Sequence, residues 1–187
     1  MLGKEEFDMW CRKLNLSPLT IGQIERIRSA PPARRVQSGI GNVTGIFNQS
    51  TKMPHSIQWE SRTVEFPALM MMEFDDDVLE IWDQPPSFTI NYKRADGARM
   101  NGHLYTADFF VLRKNWAGWE EWKPEATLAK LAQKNPNRYY LGSDGRWCSP
   151  PCEEYAKSVG LSFQVHSSAE INWVLHRNYK LLRGMRD

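Results

Sequence analysis

Residues 105–123 read Tyr-Thr-Ala-Asp-Phe-Phe-Val-Leu-Arg-Lys-Asn-Trp-Ala-Gly-Trp-Glu-Glu-Trp-Lys. Two apolar runs flank a polar segment. The pattern predicts a strand over 105–112, a hairpin-length connection over 113–118 and a second strand over 119–123. Side chains alternate along a strand, so Glu121 and Lys123 leave one face while Trp122 leaves the other. Asp108 stands among apolar neighbours, where an ionised carboxylate is costly without a partner or a metal. Pairing the two runs as a hairpin brings Asp108 beside Glu121.

Working outward, Asp75-Asp76-Asp77 marks a change from helical to alternating periodicity. Strands are expected at about 78–82 and 87–93. The turn signal Ala95-Asp96-Gly97 predicts that the second of these pairs with the strand over 105–112. Upstream, a helix is expected from Ser61 or Thr63 to about Phe74, with Val64, Ala68, Leu69, Met71 and Met72 on a broad apolar face and Pro67 early enough to be tolerated. Two helices open the chain, over about 4–14 and 18–28, the second capped by Ser17 with Pro18 in its first turn. Residues 33–57 read as an extended polar arm. Helices over 125–134 and 149–159, a strand over 162–165 and a helix over 168–179 complete an α+β pattern, a mixed sheet flanked by helices. The expected division is a helical extension over 1–32 and a main domain over 33–187.

At 187 residues, 41% hydrophobic and 25% charged, the composition is that of a globular domain. No apolar run reaches the roughly 18 residues of a membrane helix. Acidic residues at the N-terminus argue against an export signal, and three cysteines fit free thiols in a reducing compartment, so a bacterial cytoplasmic location is expected. Net charge is +2, unevenly spread: residues 1–58 carry 8 Lys or Arg against 4 Asp or Glu, 59–133 carry 8 against 13, and 134–187 carry 8 against 5. An acidic centre between basic ends suits a polyanion-binding protein whose centre holds divalent cations; an uneven surface of no special role reads the same way.

Two carboxylates at one spot repel unless a cation bridges them, and hard oxygen ligands select magnesium or manganese. Such an ion binds a phosphate oxygen and acidifies a bound water. Lys123 would then position the water or offset the charge on phosphorus, and Glu65 would arrive from the helix to complete the shell. The chemistry expected is phosphodiester hydrolysis. From spacing alone the competing reading stays open: Glu121 and Lys123 on a solvated edge strand, with Asp108 capping a turn.

The segments Glu60-Ser61-Arg62-Thr63-Val64-Glu65, Met72-Glu73-Phe74-Asp75-Asp76-Asp77-Val78, Asp83-Gln84-Pro85, Tyr105-Thr106-Ala107-Asp108-Phe109 and Glu121-Trp122-Lys123-Pro124 resemble, in order, the N-terminal nuclease domain of TnsA-type proteins, the endonuclease subunits of heteromeric transposases. Gly45-Ile46-Phe47, Lys52 and segments between Tyr155 and Ile171 also fall in the family's order, so the resemblance covers roughly residues 34–180. It implies a restriction-endonuclease-like fold of the PD-(D/E)xK class with Glu65, Asp108, Glu121 and Lys123 as the active site. Magnesium would be held by Asp108, Glu121 and the Trp122 backbone carbonyl, with Glu65 contributing and Mn2+ able to substitute. The implied activity is nicking of double-stranded DNA at the 5′ ends of a transposon, while a DDE-type transposase subunit cuts and joins the 3′ ends; an AAA+ regulator is a further expected partner. The family's Pro-Asp is Ala107-Asp108 here. The C-terminal winged-helix-type domain of prototype members is not expected within these 187 residues.

Arg34, Arg35, Lys52 and Arg62, on the polar arm before the helix, are the candidate phosphate contacts. The basic final helix, with His176, Arg177, Lys180, Arg183 and Arg186, is another; the resemblance implies that Gln84 supports the site from behind, and a side-chain amide holding the turn before Pro85 fits equally. Cys148 and Cys152, with His166 beyond, lack a fourth ligand at zinc spacing and read as free thiols. Two other functions compete: a stand-alone nuclease of the same fold in repair or defence, and a DNA-binding assembly factor whose acidic cluster is structural.

Overall fold

The computed structural model describes residues 1–33, 45–48, 50–53, 55–59, 61 and 63–182. Two helices, α1 (Lys4–Lys13) and α2 (Pro18–Ser29), begin the chain as the sequence predicts; Ser17 Oγ accepts the Thr20 N–H and Pro18 sits in the first turn. They are packed onto the rest of the molecule. Arg28 donates from Nε and Nη2 to the two Glu80 carboxylate oxygens, both at 2.9 Å, and Trp10 Nε1 donates to the Arg113 carbonyl at 2.8 Å. Strands β1 (Gly45–Phe47) and β2 (Ile57–Trp59) pair antiparallel, β1 within the stretch expected to be an arm and β2 beginning at its last residue.

Helix α3 (Glu65–Phe74) is apolar almost all round, with Phe66, Pro67, Ala68, Leu69, Met70 and Met72 buried, as befits a helix enclosed by other elements. It starts later than expected. Ser61 belongs to the entry turn, where its Oγ accepts the Val64 N–H, and Glu65 becomes the first helical residue.

Then come β3 (Val78–Asp83), β4 (Phe88–Lys93), β5 (Arg99–Tyr105), β6 (Phe109–Arg113), β7 (Ala117–Lys123), α4 (Glu125–Lys134), β8 (Tyr140–Leu141), β9 (Trp147–Cys148), α5 (Pro150–Ser158), β10 (Ser162–Ser167), a 3-10 turn (Ser168–Glu170) and α6 (Trp173–Leu182). The main sheet has the order β3-β6-β7-β10-β9-β8, with β10 parallel to β7 and the other neighbours antiparallel. This mixed sheet flanked by helices is an α+β, restriction-endonuclease-like fold.

One pairing differs from expectation. Residues 105–112 are not a single strand opposite 87–93. The chain breaks at Thr106-Ala107-Asp108: β5 pairs with β4 in a separate two-stranded sheet, and β6 enters the main sheet between β3 and β7. The register of β5 was hidden because four of its seven residues are polar or glycine and four are exposed, so no alternation marks it. Gly118 lets β10 approach β7, since a Cβ there would lie 2.1 Å from the Ser162 carbonyl oxygen.

Candidate active site

Strand pairing brings the predicted residues together. In the β6–β7 ladder Phe109 faces Glu120, and continuing the register one step sets Asp108 opposite Glu121. Asp108 precedes β6, while Glu121 and Lys123 project from one face of β7 near its end. Asp108 and Glu121 are buried, at 7% and 3% exposure. Asp108 Oδ2 accepts the Trp122 N–H at 2.8 Å, and Lys123 Nζ donates to Glu121 Oε1. Glu121 Oε2 is buried without a hydrogen-bond partner among the described residues. Glu65, also buried, heads α3, where the positive end of the helix dipole favours a carboxylate.

The electrostatics follow from this crowding. Burial raises the Asp108 pKa well above its ordinary value, and the nearby Glu121 and Glu65 carboxylates add to it; Lys123 and the Trp122 N–H work the other way and lose. Burial alone would lower the Lys123 pKa, but Glu121 and Asp108 outweigh it and hold the ammonium protonated. Among the described residues, no three His, Cys, Asp or Glu side chains are gathered closely enough to form a ready-made metal cage. What exists is an adjacent carboxylate pair, one of whose oxygens is engaged by lysine and one by nothing.

Gln84 reaches Asp108 through its backbone. It continues the β3–β6 ladder, its N–H donating to the Asp108 carbonyl at 3.0 Å, and it is buried with a φ of 44°. That left-handed conformation is unfavourable for a residue with a Cβ and marks strain beside the site. Lys52 lies at the far end of α3 from Glu65: its Nζ donates to the Met72 and Asp75 carbonyls, closing the helix C-terminus. Arg34, Arg35 and Arg62, and Arg183 and Arg186, fall outside the described residues. Cys11, Cys148 and Cys152 are not joined in disulfides.

The sequence reading missed the wall of the site. Tyr105, Tyr139 and Cys152 are buried there; burial and the neighbouring Glu121 raise both tyrosine pKa values, and the same two causes push the Cys152 thiol up to about 12, so all three are neutral. Tyr105 lay three residues before Asp108 and could have been noticed. Tyr139 follows Asn-Pro-Asn-Arg, with no periodicity to reveal it.

Residues 75–168, half of the chain, match the family model described as TnsA-like endonuclease N terminal. The match contains Gln84, Asp108, Glu121 and Lys123, and begins after Glu65. No match to a curated protein accompanies it. No helix among the described residues is long and apolar enough to cross a membrane. With this match over a mixed sheet flanked by helices, the chain belongs to the TnsA-like endonuclease family and is a nuclease of that transposase lineage.

Proposed function

We propose that this chain is the magnesium-dependent endonuclease subunit of a heteromeric transposase, nicking double-stranded DNA at the transposon's 5′ ends while a DDE-type subunit processes the 3′ ends. The observation that carries the reading is the position of Asp108 opposite Glu121, with Lys123 on the same face, inside the matched region. The arrangement supports a PD-(D/E)xK site with Ala107 before the aspartate. The donor set fits a hard divalent ion, because it is all oxygen and the buried Glu121 Oε2 has no other partner among the described residues. Asp108, Glu121 and the Trp122 carbonyl would hold Mg2+ or Mn2+, with Glu65 joining directly or through water. When bound, such an ion acidifies a water and offsets charge on the transferring phosphate.

The protein's own groups do the remaining work. Lys123, held protonated at the carboxylate pair, can turn to a non-bridging phosphate oxygen and offset the charge that builds on phosphorus. The Trp122 N–H fixes the orientation of the Asp108 carboxylate, and the Gln84 N–H fixes the Asp108 backbone. Tyr105, Tyr139 and Cys152 add buried neutral groups near Glu121, which keep that part of the site apolar. Cutting is expected to depend on the partner subunit, since an unrestrained nuclease would damage the host; an AAA+ regulator fits the same logic.

The test is a nicking assay on transposon-end DNA with the transposase partner and Mg2+. Wild-type protein should nick the 5′ ends; Asp108→Ala and Lys123→Ala, shown to be folded by circular dichroism, should not. Nicking by a folded Asp108→Ala variant would remove that residue from the site. Rapid degradation of random duplex by the chain alone would overturn partner dependence.

A further inference from the structure

Outside the site, the most unusual charge arrangement is on the β4–β5 hairpin. Its inner face is anchored: Phe88 stacks on Tyr155 with ring centres 4.1 Å apart and meets Trp119 at 5.3 Å, and Ile90 is buried. Its outer face is exposed, and the register sets Lys93 directly across from Arg99, with Arg94 next in line. Like charges directly opposite one another on a two-stranded sheet destabilise it. Asp96 is the only acidic residue between Phe88 and Tyr105, and it lies 3.8 Å from Arg94, with both side chains about half exposed. A ribbon of two strands is marginal by itself, so a repulsive pair on it needs compensation.

Part of the compensation is structural. Asn137 Nδ2 donates to the Lys93 carbonyl at 3.1 Å, and Arg138, next to Tyr139 of the site wall, lies with its guanidinium 5.3 Å from the rings of Tyr92, Tyr105 and Tyr139. This brace supports the ribbon, and with Asp96 engaged by Arg94 it leaves the facing Lys93 and Arg99 with no ion pair among the described residues. The ribbon is also rooted at the site: β4 follows Asp83-Gln84 and β5 ends three residues before Asp108. At about 3.4 Å per residue, the Lys93–Arg99 pair lies about 17 Å from the Phe88–Tyr105 base, the length of half a turn of duplex DNA.

We propose that the outer face of the β4–β5 hairpin is a phosphate-contact surface that seats the duplex flanking the cut, about half a helical turn from the scissile bond. The occupant follows from charge complementarity: paired cations at a fixed distance from a nuclease site match the phosphates of the substrate itself. The proposal rests on the nuclease reading above, and its test does not require cleavage.

Duplex binding is measured by fluorescence anisotropy across a salt series, using Asp108→Asn protein so that nothing is cut. Each lost phosphate contact makes the plot of log affinity against log salt shallower by about 0.9. The triple variant Lys93→Ala, Arg94→Ala, Arg99→Ala should flatten the slope by about two to three and weaken binding at low salt at least about tenfold. Its footprint should shorten by about half a turn on one side of the cut. All three side chains are on the exposed strand ends and turn, and removing the facing like charges relieves repulsion, so melting temperature should not fall. Arg146→Ala, an 82% exposed cation on the β8–β9 turn, should leave the slope as it was. An unchanged slope and footprint in the triple variant would overturn the proposal, as would the same loss from Arg146→Ala, or no duplex binding by the unsubstituted chain at low salt. Loss of binding with intact nicking chemistry at saturating DNA, or binding as predicted with no nicking in any protein, would separate this proposal from the nuclease reading.

Discussion

Glu120 and Glu121 are neighbours on β7, both buried, and they lead opposite lives. Glu120 has every oxygen engaged: Arg113 donates to Oε1 from Nη2 at 2.9 Å and from Nε at 3.2 Å, and Trp122 Nε1 donates to Oε2 at 3.2 Å. His166, stacked on Trp122 at 4.4 Å, closes that side. Glu80 is treated in the same way by Arg28, Trp82 and the Leu2 N–H. Across the sheet, Glu121 has a lysine on one oxygen, nothing on the other, and a second carboxylate opposite. Burial alone therefore does not mark a functional carboxylate. Glu80 and Glu120 have both oxygens met, whereas Glu121 Oε2 and Asp83 Oδ1 are left without a partner among the described residues; what sets Glu121 apart is the second carboxylate opposite it, as at a site awaiting a cation.

The contrast can be broken most severely at Glu121. Glu121→Gln should lower nicking by at least about 10³-fold, about 4 kcal/mol in the barrier, with little change in denaturant midpoint. Glu120→Gln should do the reverse. It removes the charge that Arg113 was buried to meet and should cost about 3 kcal/mol of stability by urea unfolding, while nicking per folded molecule stays near wild type. If the two variants behave alike, the division between the faces of β7 is wrong.

Asp108 sharpens the comparison through pH. Its folded pKa is raised, so between the ordinary value of 3.8 and the raised one the folded state binds more protons than the unfolded state, and stability falls as pH rises through that window. Asp108→Asn should thus raise the metal-free melting temperature at neutral pH by a few degrees, a gain that disappears below pH 3.8. For the same reason metal binding must release the proton, and affinity for Mn2+ should increase with pH. A melting temperature that falls in Asp108→Asn would contradict the crowding.

The smallest effect belongs to the satisfied face. Burial opposes the Asp75 carboxylate, but the Asp77 N–H and the Arg113 guanidinium outweigh it and hold its pKa below 3.8. Its contribution is present above that value and lost as pH falls through the lowered one. The side chain is 42% exposed, so Asp75→Asn should cost only tenths of a kcal/mol at neutral pH and remove part of the acid sensitivity of unfolding.

The legible part of this molecule was the part with strong periodicity. Helices α1, α2 and α4 and strands β3, β6, β7 and β10 follow from apolar spacing, caps and punctuating Pro and Gly, and the pairing of Asp108 with Glu121 follows from β6 and β7 being joined by a short turn. The exposed ribbon strand β5 and the short strands β1, β2, β8 and β9 were not legible, because polar or very short strands carry no alternation. Lys52 looked like a DNA contact because it is a cation on a polar stretch; only the fold reveals that α3 ends at its amine. Tyr139 and Arg138 reach the site through a loop, and nothing local in a sequence reports such an approach.

The most direct test of the assignment is calorimetric titration of Mn2+ or Mg2+ into wild-type, Glu120→Gln and Glu121→Gln proteins, each bound to duplex DNA. The account predicts a saturable binding heat in wild type and Glu120→Gln that is lost in Glu121→Gln. Equal binding by both glutamate variants, or none by wild type, would contradict it.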